Sequence, residues 1–286
     1  MLWSADVAEL HLIGSTIADG TRPSSTRGTL ITPNQNDIAT ATWVSLVASG
    51  SVTSDVYRLV VNANTIGVSA ASRNGLVEIG FDPAGGSTYT HLAYLLMGPA
   101  DSHSGGNGGV NHDLLCYIPS GSTIGIRGSV NSATLTGFRA SVTAYGQPSP
   151  SHLFRPARRI QDVGHDIASS GGVAVTAGEA ANGAWTSIGV LDFNTFAWEF
   201  GLGINASAMS ANGYDVDIGV GDAAGSSIRT VIRRGQVYST AAEKTAKAGQ
   251  LTIGRAKAGE TVWARVQTGS SATPGGINVA VTAMGY

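Results

Sequence analysis

The side chains of this 286-residue chain best suited to chemistry fall into four groups. Asp215 and Asp217 share one face of an alternating stretch, and Glu78 stands at the matching place in an earlier stretch of similar pattern. A glycosidase needs two carboxylates brought together from separate strands. A pair on one strand reads instead as solubility or edge protection. The stretch Gly98–His112 gathers Asp101, His103, Asn111 and His112, with Asp113 adjoining and His91 nearby. These residue types ligate divalent metals, but their spacing fits no established motif, so a surface loop without a metal is expected. Arg155, Arg158 and Arg159 form a basic cluster able to meet an acidic partner surface, too short for a nucleic-acid site. Finally, Trp263 lies between the inward residues Val262 and Ala264 and should face outward beside Arg265, with Arg127 at the matching place earlier in the chain. Exposed Trp beside Arg has the composition of a contact site. Trp263, Arg265 and Arg127 are therefore the expected partner- or glycan-contact residues; a Trp covered by its own loop is the alternative.

No catalytic signature accompanies these groups. The sequence has no Gly-x-Ser-x-Gly elbow, no phosphate-binding Gly-x-x-x-x-Gly-Lys loop and no His-Glu-x-x-His. The expectation is a protein that is not an enzyme and takes no cofactor. The one Cys, Cys116, sits among Leu114, Leu115, Tyr117 and Ile118, which reads as a buried, inert thiol.

The elements that must position these groups are legible from an internal repeat. Trp43-Val-Ser-Leu46 returns as Trp185-Thr-Ser-Ile188, and Tyr57, Leu59, Val61 and Asn62 as Phe200, Leu202, Ile204 and Asn205. Glu78-Ile-Gly-Phe81 returns as Asp217-Ile-Gly-Val220, and the turn Asp82–Ser87 as Asp222–Ser227. Gly121–Ile124 returns as Gly259–Val262, Arg127 as Arg265, and Val142-Thr-Ala-Tyr-Gly146 as Val281-Thr-Ala-Met-Gly285. The matches stay in order with nearly constant spacing. Within them apolar residues alternate with polar ones, as at Val216, Ile218 and Val220, and Asp-x-Ala-Gly and Ser-Gly turns separate the runs. The expected fold is all-β: two tandem antiparallel β-sandwich, jelly-roll-like domains from an internal duplication. Trp43, Trp185 and Trp198 should face the cores. Ser239–Gly249 is the best candidate for a short helix.

The first sandwich is placed at 20–146 and the second at 166–286. A Pro/Ser-rich linker at 147–165 joins them, of a composition that favours extended polyproline conformation. Residues 1–19 carry Trp3, Val7, Leu10, Leu12 and Ile13 and have no counterpart in the second half; an arm docking on a neighbour and an extra edge strand are both open.

Composition bounds the setting. Hydrophobic residues are 42% and mean hydropathy is +0.10, enough for two cores. Charged residues are 13%, about half the usual share, which suits a chain that lives in an assembly. A net charge of −2 gives no pull toward nucleic acid, and neither a signal peptide nor a membrane span is read in the sequence.

In its tandem Gly/Ala/Thr-rich repeats with closing Val-Thr-Ala-Tyr-Gly and Val-Thr-Ala-Met-Gly, the chain resembles virion surface proteins of tailed bacteriophages or gene transfer agents: spikes, head fibres or adhesion components. The resemblance implies a virion location, a homo-oligomer, other virion proteins as partners and cell-surface polysaccharide as ligand, with no nucleic acid and no membrane insertion. It carries no functional residue across. The leading expectation is a non-enzymatic structural and binding component of such a particle, mediating assembly and host-surface attachment. A free-standing two-module carbohydrate-binding protein and a polysaccharide-degrading enzyme remain as alternatives.

Overall fold

Two-residue alternation builds nearly every ordered segment of the chain. The structure is a computed structural model and describes residues 9–13, 28–66, 74–97, 110–131, 137–146, 156–179, 181–204, 212–239, 244–246, 251–268 and 276–286. In the first half the strands are β1 (Glu9–Ile13), β2 (Thr29–Ile31), β3 (Asn34–Gln35), β4 (Val44–Val47), β5 (Val56–Ile66), β6 (Gly75–Asp82), β7 (Thr90–Met97), β8 (Val110–Leu114), β9 (Thr123–Val130) and β10 (Gly137–Gly146). The second half has β11 (Arg159–Val163), β12 (His165–Asp166), β13 (Gly171–Glu179), β14 (Thr186–Val190), β15 (Thr195–Ile204), β16 (Asn212–Gly221), β17 (Ile228–Ser239), β18 (Lys244–Ala246), β19 (Thr252–Ala256), β20 (Thr261–Thr268) and β21 (Gly276–Gly285).

Each half is a jelly roll of two facing sheets. In the first half, β1 and β2 flank β10, followed by β5 and β8; the opposing sheet runs β4 and β3, then β9, β6 and β7. In the second half the orders are β11 and β13, β21, β15, β19, and β14, β20, β16, β17, β18. The strand β13 joins both sheets: Val173–Thr176 pair with β21, then Ala177–Glu179 run parallel to β20. In the first half β2 and β3 divide that role. The same strand order in both halves is the duplication seen in three dimensions.

The apolar residues of facing sheets fill two cores. Val61, Ile79, Leu95, Ile126, Phe138 and Val142 belong to the first, and Trp198, Phe200, Ile218, Val262, Val266 and Val281 to the second. The matching turns at Asp82 and Asp222 place Gly85 and Gly225 at φ of 74° and 68°, where a Cβ would be strained. Asp82 Oδ1 accepts from the Ala84 N–H, and Asp222 Oδ1 from the Ser226 N–H, closing each turn.

Several expectations change here. The stretch 159–163, within the segment read as linker, forms β11, which pairs with β21 as β1 pairs with β10. Ile13 lies opposite Val142 and Val163 opposite Val281, so β11 is a second-half counterpart of residues 9–13, where none was expected. The fifth strand also matches in a different register. Val61 lies opposite Val142 and Phe200 opposite Val281, so Val61, not Tyr57, corresponds to Phe200, and Asn62 corresponds to Gly201. A slip of four residues keeps every side chain on its face, so alternation alone does not detect it. Asn205 lies outside the described residues. No helix forms within the described part of 239–249: Ser239 ends β17 and Lys244–Ala246 pair with it as β18. Trp198 is fully buried, but Trp43 and Trp185 are half-buried over the outer sheet faces, their rings above Gly80 and Gly219.

The two sandwiches pack with β7 of the first against β21, β15 and β11 of the second. A Cβ on Gly201 would stand 2.5 Å from Leu96 Cβ, so β7 rests on bare backbone there. Leu76, Leu96, Ile38 and Ala280 make one apolar contact, and Leu115, Ala157, Ala197 and Met284 another.

Candidate functional site

Cross-strand pairing generates the first polar feature. On the outer face of β6 and β9, Glu78 lies opposite Arg127, and in the second half Asp217 lies opposite Arg265. Arg127 Nε donates to Glu78 Oε2 at 2.6 Å and its guanidinium sits 4.8 Å from the Trp43 ring. Arg265 donates twice to Asp217 Oδ2, at 2.9 and 2.8 Å, and sits 4.5 Å from the Trp185 ring. The duplicated acid–Arg–Trp stack explains why these types return in both halves. Glu78 is 2% exposed; its role is an ion pair under a guanidinium rather than the solubility expected from the sequence.

The expected contact residues divide between these stacks. Arg127 and Arg265 are engaged as described. Trp263 is half-buried, donates from Nε1 to the Asp222 carbonyl at 3.2 Å and covers Gly225 of the turn between β16 and β17. At the matching place in the first half, Gly125 leaves room for the Tyr89 ring, which stacks on Trp43 at 4.9 Å. Trp263 and Arg265 thus share one sandwich and Arg127 belongs to the other. Of the His/Asp stretch, residues 98–109 lie outside the described residues; Asp113 pairs with Arg58 and His112 is fully buried. Among the described residues no group of three metal-ligating side chains occurs.

The second polar feature is unique to the junction of the two sandwiches. His91, on β7, hydrogen-bonds through Nδ1 to Glu78 Oε1 at 2.8 Å and through Nε2 to Asp162 Oδ2 of β11 at 2.7 Å. With a carboxylate on each side, both ring nitrogens donate. Burial lowers the pKa of His91, but the hydrogen bonds to Asp162 and Glu78 outweigh it and raise it to about 9. The ring is an imidazolium at neutral pH, 40% exposed at its side chain. Asp162 Oδ1 also accepts from the Tyr94 N–H at 3.0 Å, and Thr282 Oγ1 donates to the Tyr94 carbonyl at 3.0 Å. Deeper in the junction, His112 of the first sandwich pairs with Glu199 of the second, both buried. The buried His165 has its pKa lowered, because desolvation outweighs the nearby carboxylates Asp162 and Glu199.

Beside this bridge the sandwiches leave a cleft of about 860 Å³. His91, Phe81, Leu92, Cys116 and Tyr117 line it from the first sandwich, and Pro156, Ala157, Arg158, Ile160 and Tyr286 from the second side. Tyr117 and Tyr286 are 46% and 61% exposed. Tyr117 donates from its hydroxyl to Asp55 at 3.2 Å, and Tyr286 stacks on Phe196 at 4.3 Å, so both rings are braced. The buried Cys116 thiol, pushed up to about 12 by desolvation first and by Asp113, stays protonated. The Ala157 N–H donates to the Leu115 carbonyl at 3.1 Å, tying the cleft's two sides together. Only His91 and Arg158 of this lining were visible as polar candidates in the sequence. Asp162 was missed because it lay in the presumed linker; the joint return of Glu78/Asp217 and Arg127/Arg265 was the signal that could have revealed the ion pairs.

No family model and no curated protein matches this sequence. Solved structures similar to it include PNGF-II, with a TM-score of 0.39 and 10% identity over 99% of this chain; the chain spans 64% of that protein. PNGase F, a glycosylasparaginase from Flavobacterium meningosepticum, has a TM-score of 0.36 and 10% identity, with 96% of this chain and 94% of that one covered. The tandem domain CBM22-1-CBM22-2 of Paenibacillus barcinonensis Xyn10C has a TM-score of 0.28 and 10% identity, with 97% and 98% covered. The likeness is one of architecture. The expectation of a protein that is not an enzyme is corrected by these matches: solved structures similar to this chain include a glycosylasparaginase.

Proposed function

We propose that the chain binds carbohydrate, and that the saccharide lies in the cleft between the two sandwiches. The observation that carries this reading is the pair of braced, exposed tyrosine rings, Tyr117 and Tyr286, on walls of one cleft that also holds two cations. Its size falls in the range of small-ligand sites, roughly 300–1,000 Å³. Aromatic rings present flat apolar faces on which the C–H faces of a pyranose can stack, and their hydroxyls reach polar partners. Both rings are held by neighbours, so little side-chain freedom is lost on binding. The wall residues come from both sandwiches, which gives the fixed junction a purpose.

The test is titration of the protein with a panel of oligosaccharides, followed by Tyr117→Ala and Tyr286→Ala. Each substitution should weaken binding at least about tenfold, equivalent to about 1.4 kcal/mol. Binding that survives both substitutions unchanged refutes the cleft as the site. The setting we propose is a homo-oligomer or larger particle of the virion kind. Sparse charge and the exposed Ile253, Val190 and Leu30, at 64%, 52% and 51%, support it. A monodisperse monomer by sedimentation would contradict that setting without touching the cleft.

A further inference from the structure

The cations around the cleft are not equivalent. His91 is flanked by Glu78 and Asp162, and Arg127 shares Glu78, so two positive and two negative charges cancel within the bridge. Arg58 is likewise paired with Asp113. Arg158 differs. It lines the cleft, is exposed, and makes no ion pair among the described residues. Its main chain is fixed, because its N–H donates to the Gly285 carbonyl at 2.9 Å and the preceding Ala157 N–H reaches across to Leu115. The adjoining Arg159 holds its guanidinium 4.7 Å over the Phe193 ring. Beside Tyr117, the Asp55 carboxylate accepts from Tyr117 Oη and, at 2.9 Å, from the Ser120 N–H.

A guanidinium on a cleft wall with no ion-pair partner among the described residues favours an anion, and the planar fork of Arg matches the two oxygens of a carboxylate. We infer that the saccharide taken by the cleft is acidic, a uronic-acid-type sugar whose carboxylate is received by Arg158 while its ring lies against the tyrosines. The inference rests on the carbohydrate reading above and adds the substrate class and the residue that selects it. It also gives a role to one member of the basic cluster that the sequence presents just after the Pro/Ser-rich stretch.

The experiment uses the whole protein and matched polymer pairs: polygalacturonate, alginate and hyaluronan, each beside its carboxyl-reduced form. Calorimetric titration at low salt should show at least one acidic polymer bound about tenfold or more tighter than its reduced partner. Arg158→Gln should abolish that preference without shifting the urea midpoint. Equal binding of both members of every pair overturns the inference, as does a preference that survives Arg158→Gln or binding to none of the acidic polymers. The carbohydrate reading fails separately, if Tyr117→Ala and Tyr286→Ala leave binding of every bound glycan unchanged.

Discussion

The His112–Glu199 pair offers the sharpest test of how the sandwiches are joined. Both side chains are buried, at 0% and 1% exposure, and the bond crosses from β8 of the first sandwich to β15 of the second. His112 Nε2 has no hydrogen-bond partner among the described residues, so Nδ1 carries the whole of the ring's polar satisfaction. Replacing Glu199 by Ala leaves both ring nitrogens buried and unpaired. Removing one member of a buried hydrogen-bonded pair leaves the other unsatisfied and costs about 1–3 kcal/mol, more where the remaining group is charged. Replacing both removes the orphan as well as the bond, so the double variant should lose less than the two single losses combined. A coupling of about 2 kcal/mol is expected from a double-mutant cycle, within the range for residues in direct contact. The assay is urea unfolding of wild type, Glu199→Ala, His112→Ala and the double variant, followed by tryptophan fluorescence. Because the pair spans the junction, the single variants should also begin to unfold in two steps. Losses below about 1 kcal/mol that simply add would refute the reasoning, since surface-like pairs behave that way.

Three further outcomes are expected. The His91 bridge should show in pH dependence: its pKa of about 9 in the folded chain stands above the ordinary value of about 6.5, so its stabilisation is full below about pH 6.5 and is lost as pH rises through about 9. The difference in urea midpoint between wild type and His91→Gln should therefore shrink across that window, and a constant difference would contradict the assignment. Gly201→Val should open the junction, because its Cβ would sit 2.5 Å from Leu96 Cβ and 2.8 Å from the Leu96 carbonyl oxygen; overpacking of this kind costs about 1–3 kcal/mol by thermal or urea unfolding. Cys116 should resist iodoacetamide at pH 8 in the native protein and react after unfolding, as its buried thiol near pKa 12 requires.

Much of the fold is written locally. The alternation in β10, β16 and β20 and the Asp-x-Ala-Gly turns at 82 and 222 dictate strands and tight connections whatever surrounds them, and their ordered return announces two related sandwiches. Alternation carries a period of two and nothing finer. It therefore left the fifth strand free to slip by four residues, and it could not tell the outer-face Trp43 and Trp185 from core residues. Each indole covers a glycine and an arginine from neighbouring strands, and only cross-strand register says which. Ser239–Gly249 likewise had the composition of a helix, but β17 offered an unpaired edge that Lys244–Ala246 satisfied.

The site depended on the tertiary structure almost entirely. Sequence alone determined that Glu78 and Asp217, and Arg127 and Arg265, were retained together, because duplication preserved residue types in order. It did not bring Asp162 to His91, or Tyr286 and Arg158 to Tyr117. Those residues are separated by 71 positions in the first case and belong to different sandwiches, and their meeting is fixed by how β7 rests on β11, β15 and β21. A repeat records what each copy shares. The cleft is made where the copies differ and touch, so its chemistry exists only once the two are packed.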